Sequence, residues 1–156
     1  MENQTILDKK VIVFQLNDEE YAVSVQQVGS IERMQPVTRV PQTADFVKGV
    51  INLRGVVTPI IDLRIRFGIV PLDFQDSTRI IIVYMNDMEV GLIVDAANDV
   101  IDIPESSIEP APEVIGTVDV DYIDGVAKLE NRLLILLNLQ KVLSHDEMDA
   151  LRKVEG

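Results

Sequence analysis

KVIVFQLNDEEYAVSV (residues 10–25) lies over RIIIVYMNDMEVGLIV (residues 79–94) without a gap, at an offset of 69 (10 to 79). Each copy reads as a basic residue, an apolar run, Asn-Asp, a Glu and a second apolar run. Asn17-Asp18 falls on Asn86-Asp87, Glu20 on Glu89 and Val25 on Val94. Further along, FVKGVINLRGVVTPIIDL (46–63) lies over YIDGVAKLENRLLILLNL (122–139) at an offset of 76 (46 to 122), with Gly49 on Gly125, Leu53 on Leu129 and Leu63 on Leu139. The second copy therefore carries seven extra residues (76 against 69), placed around 103–116, where Pro104, Pro110 and Pro112 cluster. A period of this length marks a duplicated structural unit. The units run from about 10 to 70 and from about 79 to 143.

Each unit opens with a β-hairpin: two β-branched apolar runs about an Asn-Asp turn. In Tyr21–Val25 apolar residues partly alternate with small or polar ones, which suits a strand with one buried face. Ile80–Val83 is continuously apolar and is expected to be buried on both faces or to lie between the halves. Each unit closes with a second hairpin, turning at Arg54-Gly55 in the first and at Glu130-Asn131 in the second. Units of about five short strands predict small closed barrels, which leave no free sheet edge. The fold class is therefore mostly all-β, with two pseudo-symmetric five-stranded barrels. Helical signals are few: a turn at Val25–Val28, a short helix within Asp62–Phe67, and a tail helix over about 144–155. In the tail, Ser144 and Glu147 form a capping box, with Leu143 and Met148 as its staple. Met148, Leu151 and Val154 form an apolar stripe.

The chain has 156 residues, 47% of them hydrophobic, and a net charge of −12 from 14 basic and 26 acidic side chains. That charge repels phosphate backbones and anionic headgroups, which argues against nucleic-acid and membrane-surface roles. No Cys is present, so disulfides, thiolate nucleophiles and the usual structural zinc sites are excluded. A single His, His145, leaves almost no material for a catalytic triad or a multi-histidine metal site. Neither a membrane span nor a secretory signal is evident, and the expected address is cytoplasmic.

Candidate chemistry is sparse. Asp119, Asp121, Asp124 and Glu130 superficially resemble a calcium loop, but the ligand and glycine positions are out of register, and no metal or cofactor is expected. No glycine-rich phosphate loop is present. Arg54 is more informative, because its twin in the second copy is Glu130. A residue required only by the fold should look alike in both copies, so Arg54 is a candidate for a task performed by one half. The alternative is an arginine that merely pairs with a local carboxylate.

Gly49-Val50-Ile51-Asn52-Leu53-Arg54-Gly55-Val56-Val57-Thr58-Pro59-Ile60-Ile61-Asp62-Leu63 resembles the signature of the CheW family of bacterial chemotaxis coupling proteins. The similarity extends over nearly the whole chain, through Phe14, Glu20-Tyr21, Thr38-Arg39, Gly91, Val94-Asp95, Asp99-Val100, Pro110–Glu113 and Leu133–Leu137. The length leaves no room for a kinase or receiver domain, so a stand-alone member is expected.

The resemblance implies a single CheW-like domain of two SH3-like barrels and a non-enzymatic adaptor. Such an adaptor bridges the cytoplasmic tips of chemoreceptors to the histidine kinase CheA in membrane-associated arrays. Receptor contacts then fall on Val28, Ile31 and the turn of Asn52, Leu53, Arg54, Gly55 and Val56. Kinase contacts fall on Thr38, Val40 and Lys48 at one interface, and on Pro112, Glu113 and Val114 at another. Two positions depart from the family pattern. Ser30 stands where many members carry an acid, and Glu109 where some carry a base. A reading from a different class, a small carboxylate- or metal-dependent hydrolase, predicts a pocket of convergent carboxylates.

Overall fold

Asn17, Asn86 and Asp87 hold positive φ angles of 61°, 50° and 69°, the left-handed region that tight hairpin turns require. They join β1 (Asp8–Leu16) to β2 (Glu19–Ser24) and β6 (Arg79–Met85) to β7 (Met88–Val94). Two further hairpins pair β4 (Val47–Leu53) with β5 (Val56–Asp62), and β10 (Ile123–Leu129) with β11 (Arg132–Leu137). β3 (Val28–Arg33), β8 (Ala96–Pro104) and the short β9 (Ile108–Glu109) complete the strands of this computed structural model, which describes residues 8–111 and 120–155.

The strands form two sheets, ordered β8-β1-β2-β11-β10-β9 and β3-β6-β7-β5-β4. Each sheet is drawn round by its own chain. β8 pairs with β1 at one edge, and the same run of chain continues into β9, which pairs with β10 at the other. In the second sheet the chain leaving β3 returns at Thr38, which bridges Val50 of β4. These are the two SH3-like barrels, and their registers match. Ile60 lies opposite Gly91 in the parallel pair β5–β7, and their twins Leu136 and Ala22 lie opposite each other in β11–β2. Both copies also bulge at the same glycine. A Cβ at Gly49 would collide with the Thr38 carbonyl oxygen, and one at Gly125 would sit 2.6 Å from the Glu109 carbonyl oxygen, so neither site admits a side chain.

The barrels do not coincide with the repeat units. One barrel is the continuous segment β3–β7, which takes its β6–β7 hairpin from the second copy. The other joins β1–β2 to β8–β11 and has six strands rather than five. Linker length explains the exchange. Ser24 ends β2 opposite Val11, whereas the strand that flanks β1 starts opposite Gln15. Reaching that point within one copy would mean travelling four residues along the strand, roughly 14 Å. The connection Val25–Gln27 is a three-residue 3-10 turn capped by Ser24 and spans only about 6 Å. It delivers β3 to the other sheet instead.

Alternate faces of the strands explain the core. Ile80 and Ile82 pack inside their own barrel with Ile51, Leu53, Ile60 and Ile93. Ile81 and Val83 point the other way, into a larger cluster between the barrels with Phe14, Tyr21, Leu63, Phe67, Leu92 and Leu137. The unbroken apolar run thus serves two cores. α1 (Leu63–Arg66) and α2 (Leu139–Val142) follow β5 and β11 and are capped by the twins Asp62 and Asn138. α2 was not foreseen. In α3 (His145–Glu155) the capping box is present: the Ser144 amide donates to Glu147 Oε1 at 2.7 Å and the Glu147 amide to Ser144 Oγ at 3.1 Å. Leu143, Met148 and Leu151 are buried in the inter-barrel core; the Val154 side chain lies outside the described set. Arg66 ties these helices together. Its guanidinium donates to the Val142 carbonyl at 2.7 Å and to Glu147 at 3.0 Å, and lies over the rings of Phe46 and Tyr122.

Candidate functional site

The hairpin turn at Arg54-Gly55 has φ of 52° and 86°. It is braced from within, because the Gly55 amide donates to Asn52 Oδ1 at 2.8 Å. An L-residue in this region is held at a conformational cost that glycine avoids. The Arg54 side chain is 69% exposed and reaches Glu32 at 3.5 Å, which draws the hairpin tip towards β3. A screened pair of this kind contributes little to stability.

Of the residues expected at this face, Ile31 and Val56 are large apolar side chains left 41% and 45% exposed, and Asn52 and Gly55 are also exposed. Val28 is half-buried against the inter-barrel core. Leu53 is buried inside its barrel, so it positions the turn and offers a partner no side chain. Val57, 40% exposed on β5, and Tyr84, 46% exposed on β6, are further large side chains left exposed that the sequence does not single out. Their exposure depends on where the neighbouring strands end, which residue spacing does not reveal.

Thr38 is exposed and joined to Val50 by two backbone hydrogen bonds of 2.8 and 2.9 Å. Val40 is half-buried and belongs to no strand; between residues 37 and 41 only Thr38 pairs. Instead Val40, Phe46 and Val47 face α3 across a cleft of about 680 Å³ whose far wall carries Asp146, Glu147, Asp149, Ala150, Leu151 and Lys153. Lys48 is half-buried beside Asp62. Pro112, Glu113 and Val114 lie outside the described residues, as does Asp119 of the acidic cluster. Asp124 is engaged by Asn138 Nδ2 at 2.9 Å, and the departure Glu109 is answered by Lys128 at 3.4 Å. Ser30 Oγ is buried with no hydrogen-bond partner among the described residues.

Two charged clusters went unanticipated. Arg64 and Asp95 form a bidentate pair at the junction of the barrels, in a recess of about 210 Å³ that Asp62 also lines. Asp62 is pushed above the ordinary carboxylate range by burial, but its Oδ1 caps α1 through the Arg64 and Ile65 amides. Both carboxylates are thus engaged in holding the fold. On the six-stranded barrel, Arg132 binds Glu20 at 2.9 and 3.1 Å and Asp99 at 3.1 Å. These hydrogen bonds hold the Glu20 carboxyl below its usual value. Among the described residues no group of three or more His, Cys, Asp or Glu side chains could hold a metal ion, and no helix is long and apolar enough to cross a membrane.

A double barrel with exposed apolar side chains about a strained arginine turn defines a scaffold rather than a reaction centre. The family model for the CheW-like domain matches residues 10–147. The chain belongs to the CheW family of chemotaxis proteins. It is 51% identical to "Chemotaxis protein CheW" of Bacillus subtilis (strain 168) over 138 residues, 88% of each chain. It is 39% identical to "Chemotaxis protein CheW" of Klebsiella aerogenes, across 90% of this chain and 84% of that one. The solved structure of the scaffolding protein TtCheW from Thermoanaerobacter tengcongensis superposes with a TM-score of 0.83 at 38% identity, covering 90% of this chain and 96% of the other. The family is one of chemotaxis scaffolds and not of enzymes, and the hydrolase reading has no support.

Proposed function

We propose that this protein couples the cytoplasmic tips of chemoreceptors to the histidine kinase CheA within membrane-associated arrays, on the cytoplasmic side. The receptor docks on Val28, Ile31 and the turn from Asn52 to Val56, with Arg54 foremost. The kinase docks on Thr38, Val40 and Lys48 and, at a second interface, on Pro112, Glu113 and Val114. One observation carries the reading: an exposed arginine is kept at φ 52°, where glycine would relax, beside the exposed Ile31 and Val56. Strain retained at a surface turn is characteristic of a recognition site. The guanidinium fork suits the carboxylates and carbonyls of a helical hairpin tip. The experiment is a pair of pull-downs, one with a receptor signalling fragment and one with CheA. Capture of both, with receptor capture alone lost in Arg54→Ala, supports the reading. Capture of neither overturns it.

A further inference from the structure

The matching registers of the two barrels expose a difference at equivalent corners. On the six-stranded barrel, Arg132 lies across Glu20 and Asp99, and Asn98 Nδ2 adds a 3.0 Å hydrogen bond to Glu20. The twins of these residues on the other barrel follow from the repeat offsets. Glu20 becomes Glu89, Arg132 becomes Val56, Asp99 becomes Ser30 and Asn98 becomes Gly29. The registers agree: Asp99 lies opposite Val13 and Ser30 opposite its twin Ile82, while Gln15 faces Glu20 and its twin Tyr84 faces Glu89. Only the carboxylate survives. All 14 Lys and Arg side chains belong to the described residues, and none of them pairs with Glu89. The Glu89 carboxylate also has no hydrogen bond among the described residues, Arg54 pairs with Glu32, and Ser30 Oγ is left unpartnered.

Something else has taken the vacated ground. Tyr84, directly across the strand pair from Glu89, turns its ring over Gly29, where a Cβ would stand 2.9 Å from the phenol oxygen. Residues opposite each other in an antiparallel pair share a face. An exposed ring, an unanswered carboxylate and the exposed Val56 therefore stand on one corner. A guanidinium is the group that both stacks on an aromatic face and binds a carboxylate through two donors.

We propose that this corner is a socket for an arginine of the receptor tip, which binds Glu89 and stacks on Tyr84 in the place that Arg132 fills from within on the other barrel. The identity of the donor rests on the receptor reading above; the socket itself does not. The socket is tested by titrating isotope-labelled protein with N-acetyl-arginine amide. Saturable shifts at Glu89, Tyr84 and Ser30, lost in Glu89→Gln, are expected. No saturable shifts, or the same shifts in Glu89→Gln, overturn it. A receptor-fragment titration then tests the donor. Glu89→Gln should weaken binding roughly tenfold or more, as loss of a charge-assisted pair does, with a shallower salt dependence. Unchanged receptor affinity in Glu89→Gln refutes the assignment. Failure of wild-type protein to bind the receptor fragment, with the arginine response intact, fails the receptor reading and leaves the socket standing. As a gain-of-structure control, Ser30→Asp with Val56→Arg rebuilds the other barrel's network and should abolish the arginine response while holding or raising Tm.

Discussion

The guanidinium of Arg64 and the carboxylate of Asp95 meet along two parallel hydrogen bonds, Nε to Oδ1 at 2.8 Å and Nη2 to Oδ2 at 2.7 Å. Arg64 comes from α1, beside one barrel, and Asp95 is the single residue between β7 and β8, where the chain crosses to the other. Asp95 Oδ2 also accepts the Asn17 amide at 2.8 Å, and Arg64 Nη1 donates to the Val70 carbonyl at 2.7 Å. The twins of Arg64 and Asp95 are Gln140 and Gln26, so the clamp exists on one side only.

Removing one partner of this clamp leaves a charge stranded at the junction. Asp95→Ala is expected to destabilise by about 3 kcal/mol, as for a broken, largely buried pair. Arg64→Lys keeps the charge but loses the fork and should cost less. Chemical denaturation of both variants checks the order; an Asp95→Ala midpoint equal to wild type contradicts it.

Arg54→Ala should stay within about 1 kcal/mol of wild-type stability, because the one ion pair it makes among the described residues is long and solvent-screened on the arginine side. Arg54→Gly relieves the positive φ and should not lower Tm. Both should lose receptor-fragment affinity, while Arg54→Lys recovers part of it. A thermal melt and a receptor titration on the same samples separate a binding role from a folding role.

Asp62→Asn tests a buried charge. Folding raises the Asp62 pKa, so the ionised form is the disfavoured one in the native state. Its effect is to lower stability as pH rises from the unfolded carboxylate value through the raised folded value, after which it is constant. Asparagine caps the equivalent helix at Asn138, donating no charge and accepting the Gln140 amide at 3.0 Å. Asp62→Asn should therefore be neutral or stabilising at pH 7, with its advantage vanishing below pH 4. A loss of stability at pH 7 would assign the charge a positive role beside Lys48 and Arg64.

Deleting the chain from Ser144 removes Met148 and Leu151, which are 4% and 2% exposed, and the Glu147 partner of Arg66. Two buried side chains are worth roughly 3–6 kcal/mol, a large share of a domain's stability. The truncated protein should fold with a much reduced Tm. An unchanged Tm with loss of CheA binding would make α3 a docking element instead.

Val40→Glu places a charge in an apolar part of the cleft, which α3 lines with three acids, Asp146, Glu147 and Asp149, and one base, Lys153. It should weaken CheA capture per folded molecule while receptor capture survives. Equal loss of both would mean that the two partners share a face.

Local features were legible where the cause is local. Asn-Asp and Arg-Gly turns, the Ser144–Glu147 capping box and the two-sided run Ile80–Val83 are each decided within a few residues. Partner choice was not legible in this way. Nothing in the spacing of β1–β2 says that its companions are β8–β11, because that depends on the reach of the Val25–Gln27 turn. The Arg64–Asp95 clamp spans 31 residues and the Arg132–Glu20 pair 112, so neither leaves a pattern along the chain. α2 was passed over although Leu139 had been aligned with Leu63, the first residue of α1; applying the duplication to the caps would have found it.

The interleaved strand order also dictates a sequence of events on the ribosome. Val28–Val94 is contiguous, so that barrel has all its strands once Val94 has been added. The β1–β2 hairpin is made before that barrel, yet its own sheet cannot be completed until β10 and β11 follow, ending more than a hundred residues later. At ordinary elongation rates that is a wait of roughly 5–20 seconds. Until β8 is made, Val11, Val13 and Phe14, all buried in the finished protein, have only β2 beside them, and β2 itself lacks its β11 neighbour for the whole wait. The nascent hairpin is thus the part of the molecule most exposed to chaperones and to mispairing with a neighbouring chain.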